Sequence, residues 1–116
     1  RLRWLALSGS EMERAGDRLG LEVVREAFAD RHYDDAGNLV SRGLAGSVIR
    51  EPEAAAARAV EMVRDGAITA MSGRRLALPF ESLCVHGDEP TAVAVARACR
   101  VAIEGAGCRV ARMGEA

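Results

Sequence analysis

Leu83-Cys84-Val85-His86-Gly87-Asp88-Glu89-Pro90-Thr91-Ala92-Val93-Ala94-Val95 is the stretch whose reading decides the fold. Leu83, Cys84 and Val85 form a short apolar run, as a buried strand requires. A helix is expected to open at Pro90, because proline is preset for the first helical turn. His86-Gly87-Asp88 therefore falls where a strand hands over to a helix, and ligands of α/β proteins bind at that end of the strands. Gly87 would let a ligand approach the backbone, and the helix start would offer N–H groups to an anion. A plainer reading stands beside this one: Asp88 as a helix cap and His86 as a hydrogen-bonded core residue. A single His-Gly-Asp is too short to choose between them.

The same strand-helix alternation recurs outward from this stretch. The helix from Pro90 to Glu104 places Ala92, Val95, Ala96, Cys99, Ala102 and Ile103 on one stripe, with Arg97, Arg100 and Glu104 opposite. Gly105 and Gly107 end it, and Cys108-Arg109-Val110-Ala111 reads as a final short strand. Toward the N-terminus, residues 67–78 read as a small hairpin. Before it, a helix runs from Pro52 to Gly66 with Ala56, Ala59, Val60 and Val63 inward and Arg58, Glu61 and Arg64 outward. Earlier still, Trp4–Leu7 and Leu21–Arg25 read as strands flanking a helix that Ser10 and Glu13 open as a capping box and Gly20 stops. Met12, Ala15, Gly16 and Leu19 form that helix's apolar face, and Glu13 falls on its solvated side. Glu26 to Arg31 concentrates charge at the second strand's end, and Asp34–Asn38 is a turn. This pattern predicts an α/β fold with mostly parallel strands, as one unit over residues 1–116, with too few strands to close a barrel alone.

Composition narrows the function. The 116 residues carry 49% hydrophobic but only 3% aromatic side chains, so the core must be aliphatic. Sixteen basic and 17 acidic residues give a net charge of -1, which argues against a nucleic-acid partner. Every basic residue is Arg, so neither a Schiff-base lysine nor a Walker lysine is available. Cys84, Cys99 and Cys108 form no CxxC pair and fit a reducing, cytoplasmic setting. No apolar run approaches a membrane span, so no membrane partner is expected. The chain opens at Arg1 without Met, and a preceding segment is expected.

Two segments carry a resemblance: EAFADRHYDDAGNLVSRG at residues 26–43 and SLCVHGDEPTAVAVARACRVAIEGAG at 82–107. Together and in this order they resemble the LamB/YcsF family, whose members are read as the A subunit of the bacterial ATP-dependent 5-oxoprolinase. The resemblance runs from about Trp4 to Val110. It implies part of a (β/α) barrel of the glycoside hydrolase/deacetylase type, here its C-terminal half. It implies hydrolysis of 5-oxoproline to glutamate coupled to ATP, alongside partner subunits B and C. The family pattern has Thr where this chain has Glu89, Gly where it has Thr91, a small residue where it has His32, and Pro where it has Ser41.

A γ-lactam resists water, so opening it needs an activated water or carbonyl and a clamp for the substrate carboxylate. His86 is the candidate general base or acid, since imidazole titrates near neutrality. Asp88 is expected to orient it, bind a metal or cap the helix. Glu26 and Asp30 are the candidate second carboxylate pair, unless they only bridge to Arg25 or Arg31. Arg31 and Arg42 are candidate forks for a carboxylate, against a reading as solvated surface arginines, and Gly87 is a candidate ligand contact. Cys84, two residues from His86, shares its strand face, either as a nucleophile or as a small hydrophobe. The divalent metal stays open, since one His and scattered carboxylates define no ligand set. No Gly-rich phosphate loop is present, so ATP is expected to be handled mostly elsewhere. Two alternatives remain: a metal-dependent hydrolase resembling polysaccharide deacetylases, and an inactive fragment that keeps only partner contacts.

Overall fold

In the computed structural model, which describes residues 2–115, β-strands and α-helices alternate. Strands β1 (Arg3–Leu7), β2 (Glu22–Phe28) and β5 (Ser82–Cys84) form a parallel sheet in the order β1-β2-β5. Helices α1 (Glu11–Arg18), α2 (Pro52–Asp65) and α3 (Ala92–Gly105) connect or flank them. Strands β3 (Ile68–Thr69) and β4 (Arg75–Leu76) make the expected antiparallel hairpin. The α/β pattern with parallel strands thus holds, and the three-stranded sheet is open.

Helix α1 starts where its sequence dictates. The Ser10 side chain accepts the Glu13 N–H at 3.2 Å, and Glu13 in return accepts the Gly9 N–H at 2.6 Å. Its inward face is narrower than the periodicity suggests. Gly16 is buried, whereas Met12 and Leu19 are exposed. Trp4 lies across the helix, donating from Nε1 to the Met12 carbonyl, and reaches Gly16 so closely that a Cβ there would sit 2.6 Å from its ring. Glu13 turns toward Arg25 at 2.8 Å instead of facing solvent.

Register decides what faces what. Trp4 pairs with Val23 and Ala27 with Leu83, so these side chains share the helix-covered face. Ala29, Ala55, Ala59, Val95 and Cys99 pack together there, joined by Leu83, Val85 and Ile103. A second cluster holds Ala27, Tyr33, Met62, Ile68, Ala70 and Leu76, also touching Leu83. Met62 is fully buried, a contribution of roughly 1.5–3 kcal/mol. The buried stripe of α2 is rotated from the expected one, to Ala55, Ala56, Ala59 and Met62, because the helix meets both α3 and the hairpin side of the core. Arg58, expected outside, is half-buried and donates to the Thr69 and Arg31 carbonyls. On α3, Val95 and Cys99 are buried and Arg97 and Arg100 exposed, as the stripe predicts.

The larger departures from expectation lie at three places. β2 continues to Phe28, since Glu26 rides in the sheet opposite Leu7 and Ser82. α3 opens at Ala92 rather than Pro90. Cys108–Ala111 is not a strand: the Cys108 N–H closes α3 on the Ile103 carbonyl, and the segment lines an open groove of about 1110 Å³ beside Leu83, Val85 and Ile103.

The opposite face of the sheet carries Leu5, Leu7, Val24, Glu26, Phe28 and Cys84, none of them fully buried, with Leu5 42% exposed.

Candidate active site

Asp30 lies two residues beyond β2, and His86 two residues beyond β5. Because Phe28 and Cys84 are register partners, the chain brings Asp30 and His86 together at the C-terminal end of the sheet. One Asp30 oxygen accepts the His86 backbone N–H at 2.8 Å, and the other lies 2.8 Å from Nδ1. Asp30 is 4% exposed, whereas the His86 side chain is 23% exposed. The Phe28 ring packs edge-on against the imidazole, with centroids 4.6 Å apart.

These contacts set the chemistry. An ionised carboxylate only accepts, so the proton of a neutral His86 belongs on Nδ1 and Nε2 keeps its lone pair. Nε2 lies 3.9 Å from the Cys84 sulfur. Burial pushes the Cys84 thiol up to about 12, and the Glu26 carboxylate bonded to it adds to the shift. At neutral pH Cys84 is therefore a thiol, which disfavours the nucleophile reading. Glu26 and Asp30 do gather around Cys84 and His86, and neither pairs with a neighbouring arginine as the plainer reading would have it. Arg25 instead meets Glu13, Asp17 and Glu81.

Asp88 does not cap α3. The cap position is Thr91, whose hydroxyl donates to the Arg50 carbonyl and makes no cap bond. Nor does Asp88 orient His86, a part Asp30 takes. Its carboxylate accepts from Arg42 Nη1 at 2.7 Å, and that bond holds it below the usual carboxylate range. Gly87 faces open space, where even a Cβ would meet nothing within 4 Å. Arg31 is no surface residue. It is 7% exposed and donates to the Val40 carbonyl at 2.7 Å, anchoring the loop that carries Arg42.

Sequence reasoning passes over Phe28 and Tyr33. Tyr33 is fully buried, and its hydroxyl accepts the Phe28 N–H at 3.0 Å, fixing the strand end below His86. A lone tyrosine in a chain with 3% aromatics is the available signal. Among the described residues, no group of three or more His, Cys, Asp or Glu side chains is placed to hold a metal ion. No helix among them is long and apolar enough to cross a membrane. The groove beside α3 is lined by neither His86 nor Asp30.

The LamB/YcsF family model matches residues 1–116. The chain belongs to the LamB/YcsF family. Relatives named as the A subunit of 5-oxoprolinase include one from Heliobacterium modesticaldum, 48% identical over 90% of this chain and 41% of its own length. Another, from Streptomyces avermitilis, is 47% identical over 92% of this chain and 43% of its own length. The crystal structure of a lactam utilization protein from Thermus thermophilus superposes with a TM-score of 0.84 at 42% identity, covering 91% of this chain and 42% of that one. This LamB/YcsF chain thus spans about two fifths of the length of these relatives.

Glu89, Thr91, Ser41 and His32 each take a defined place in the structure. Glu89 accepts from Arg50 at 2.8 Å and Thr91 bonds the Arg50 carbonyl, so both residues grip the same arginine. Ser41 accepts the Gly43 N–H at 3.3 Å, shaping by hydrogen bond a turn that Pro would preset. His32 leaves a buried Nδ1 with no hydrogen-bond partner.

Proposed function

We propose that this chain supplies part of the active site of a 5-oxoprolinase, as a segment of its A subunit within a (β/α) barrel. The observation that carries the reading is the Asp30–His86 pair at the strand ends, with Nε2 left to act. In this scheme Nε2 takes a proton from water as the hydroxyl adds to the lactam carbonyl. The imidazolium then returns that proton to the ring nitrogen as the C–N bond breaks, releasing the amine and carboxylate of glutamate. Asp30 stabilises the transient imidazolium. ATP is handled at least partly by the other subunits (B and C), and no step here runs through it.

The test is His86→Ala in a full-length LamB/YcsF protein assembled with its partner subunits, ATP and 5-oxoproline. Glutamate formation is expected to fall by about 100-fold or more, the usual scale for a lost acid or base, with folding unchanged. Wild-type turnover would return His86 to a structural part. The short coverage of the relatives supports a companion reading, that residues 1–116 alone do not turn over. Turnover by this chain with the same additions would overturn that.

A further inference from the structure

Residues 39–50 form a strap beside the His86 loop. Arg31 holds one end through the Val40 carbonyl, and Glu89 and Thr91 hold the other through Arg50. Between these anchors, Ser41 tightens a turn that presents Arg42, whose guanidinium meets the Asp88 carboxylate. Both partners of this pair are about half exposed.

We infer that Arg42 is the recognition site for the carboxylate of a lactam substrate, and that Asp88 occupies it as an internal stand-in until the substrate arrives. This rests on the 5-oxoprolinase reading and adds to it how the substrate is oriented. Three observations support it. Arg42 engages a carboxylate, the group a substrate would bring. The pair is solvent-exposed, so exchanging one carboxylate for another costs little. The strap is anchored on both sides of Arg42 by other contacts, so the turn that carries Arg42 does not depend on Asp88. Asp88, the carboxylate that Arg42 holds, follows His86 by two residues, so the Arg42 site adjoins the His86 loop. Asp88 then acts by competition and touches no reacting atom.

The experiment titrates a full-length LamB/YcsF protein that contains this chain with 5-oxoproline and with 2-pyrrolidinone, the same ring without its carboxylate. Binding is followed by NMR at the Gly43 amide and the His86 ring, in wild type, Arg42→Gln and Asp88→Asn. Circular dichroism confirms that each variant folds. The expected result has three parts. Arg42→Gln binds 5-oxoproline about 10-fold more weakly, the scale of one lost charge-assisted contact. Asp88→Asn binds it several-fold more tightly. 2-Pyrrolidinone binds weakly and equally to all three. Equal affinity of wild type for both lactams, or no change in either variant, would overturn the carboxylate site while leaving the lactam reading standing. Binding of neither lactam by wild type and Asp88→Asn would overturn both.

Discussion

Asp30 and His86, 56 residues apart in sequence, are joined by two hydrogen bonds of 2.8 Å, one to the backbone and one to the ring. A single buried carboxylate thus fixes where the imidazole sits and which nitrogen carries its proton.

Removing that carboxylate has a stability signature independent of turnover. Asp30→Ala leaves the His86 N–H and Nδ1 without their acceptor, and should cost about 2–3 kcal/mol. Asp30→Asn keeps one acceptor oxygen and should cost about half as much. Urea unfolding reads the energies, and ¹⁵N spectra read the tautomer: Nδ1–H in wild type, a mixture in Asp30→Ala. An Asp30→Ala protein with unchanged stability and an unchanged tautomer would contradict the arrangement.

Cys84 should resist alkylation. With its thiol pushed up to about 12, only about one molecule in ten thousand is a thiolate at pH 8. Iodoacetamide should modify it at least ~100-fold more slowly than a free thiol in solution, as followed by mass spectrometry of the peptide containing it. Labelling at the rate of a free thiol would refute the protected environment.

Gly16→Ala should destabilise the protein even though alanine favours helices. The new methyl would meet Trp4 at 2.6 Å and Val23 at 2.7 Å. Overpacking of about 1–3 kcal/mol outweighs a propensity gain of about 1 kcal/mol. A raised melting temperature would show that Trp4 can move aside.

His32 should impose a pH dependence. Burial, aided by Arg58, depresses its pKa below the ordinary 6.5. The unfolded chain then binds the proton more readily than the folded one, so stability is present above pH 6.5 and is lost as pH falls through the folded value. For one proton the slope cannot exceed about 1.4 kcal/mol per pH unit. His32→Ala should flatten the fall in stability below about pH 6.5, measured by urea midpoints. An unchanged slope would assign the dependence to other groups.

Much of the fold is legible because it rests on local rules. The Ser10–Glu13 box, Pro52, Gly66 and the Val95/Cys99 stripe each follow from chain chemistry within a few residues. Misread features depend on what lies across the gap. Met12 is exposed although Trp4 bonds its carbonyl, because the ring packs over Gly16, and Cys108–Ala111 has apolar character without strand pairing. At the site, sequence brings out His86, Asp30 and Glu26 as strand-end residues. It does not tell that Asp30 rather than Asp88 would grip the imidazole. That follows from the Phe28–Cys84 register, a long-range pairing with no local signature.

The order of strands has a kinetic consequence. β1 and β2 close over 19 residues, from Arg3 to Glu22, whereas Glu26 must find Ser82 across 56. The shorter loop loses less entropy on closing, so β1-α1-β2 assembles early and β5 docks late. β5 is then held by a ladder of three residue pairs at the sheet's margin. It is therefore the strand of this parallel sheet whose amides should exchange with solvent soonest. Asp30 and His86 stand on opposite sides of that seam. The imidazole acquires its fixed tautomer only in the final docking step, and each transient opening of the seam releases it again.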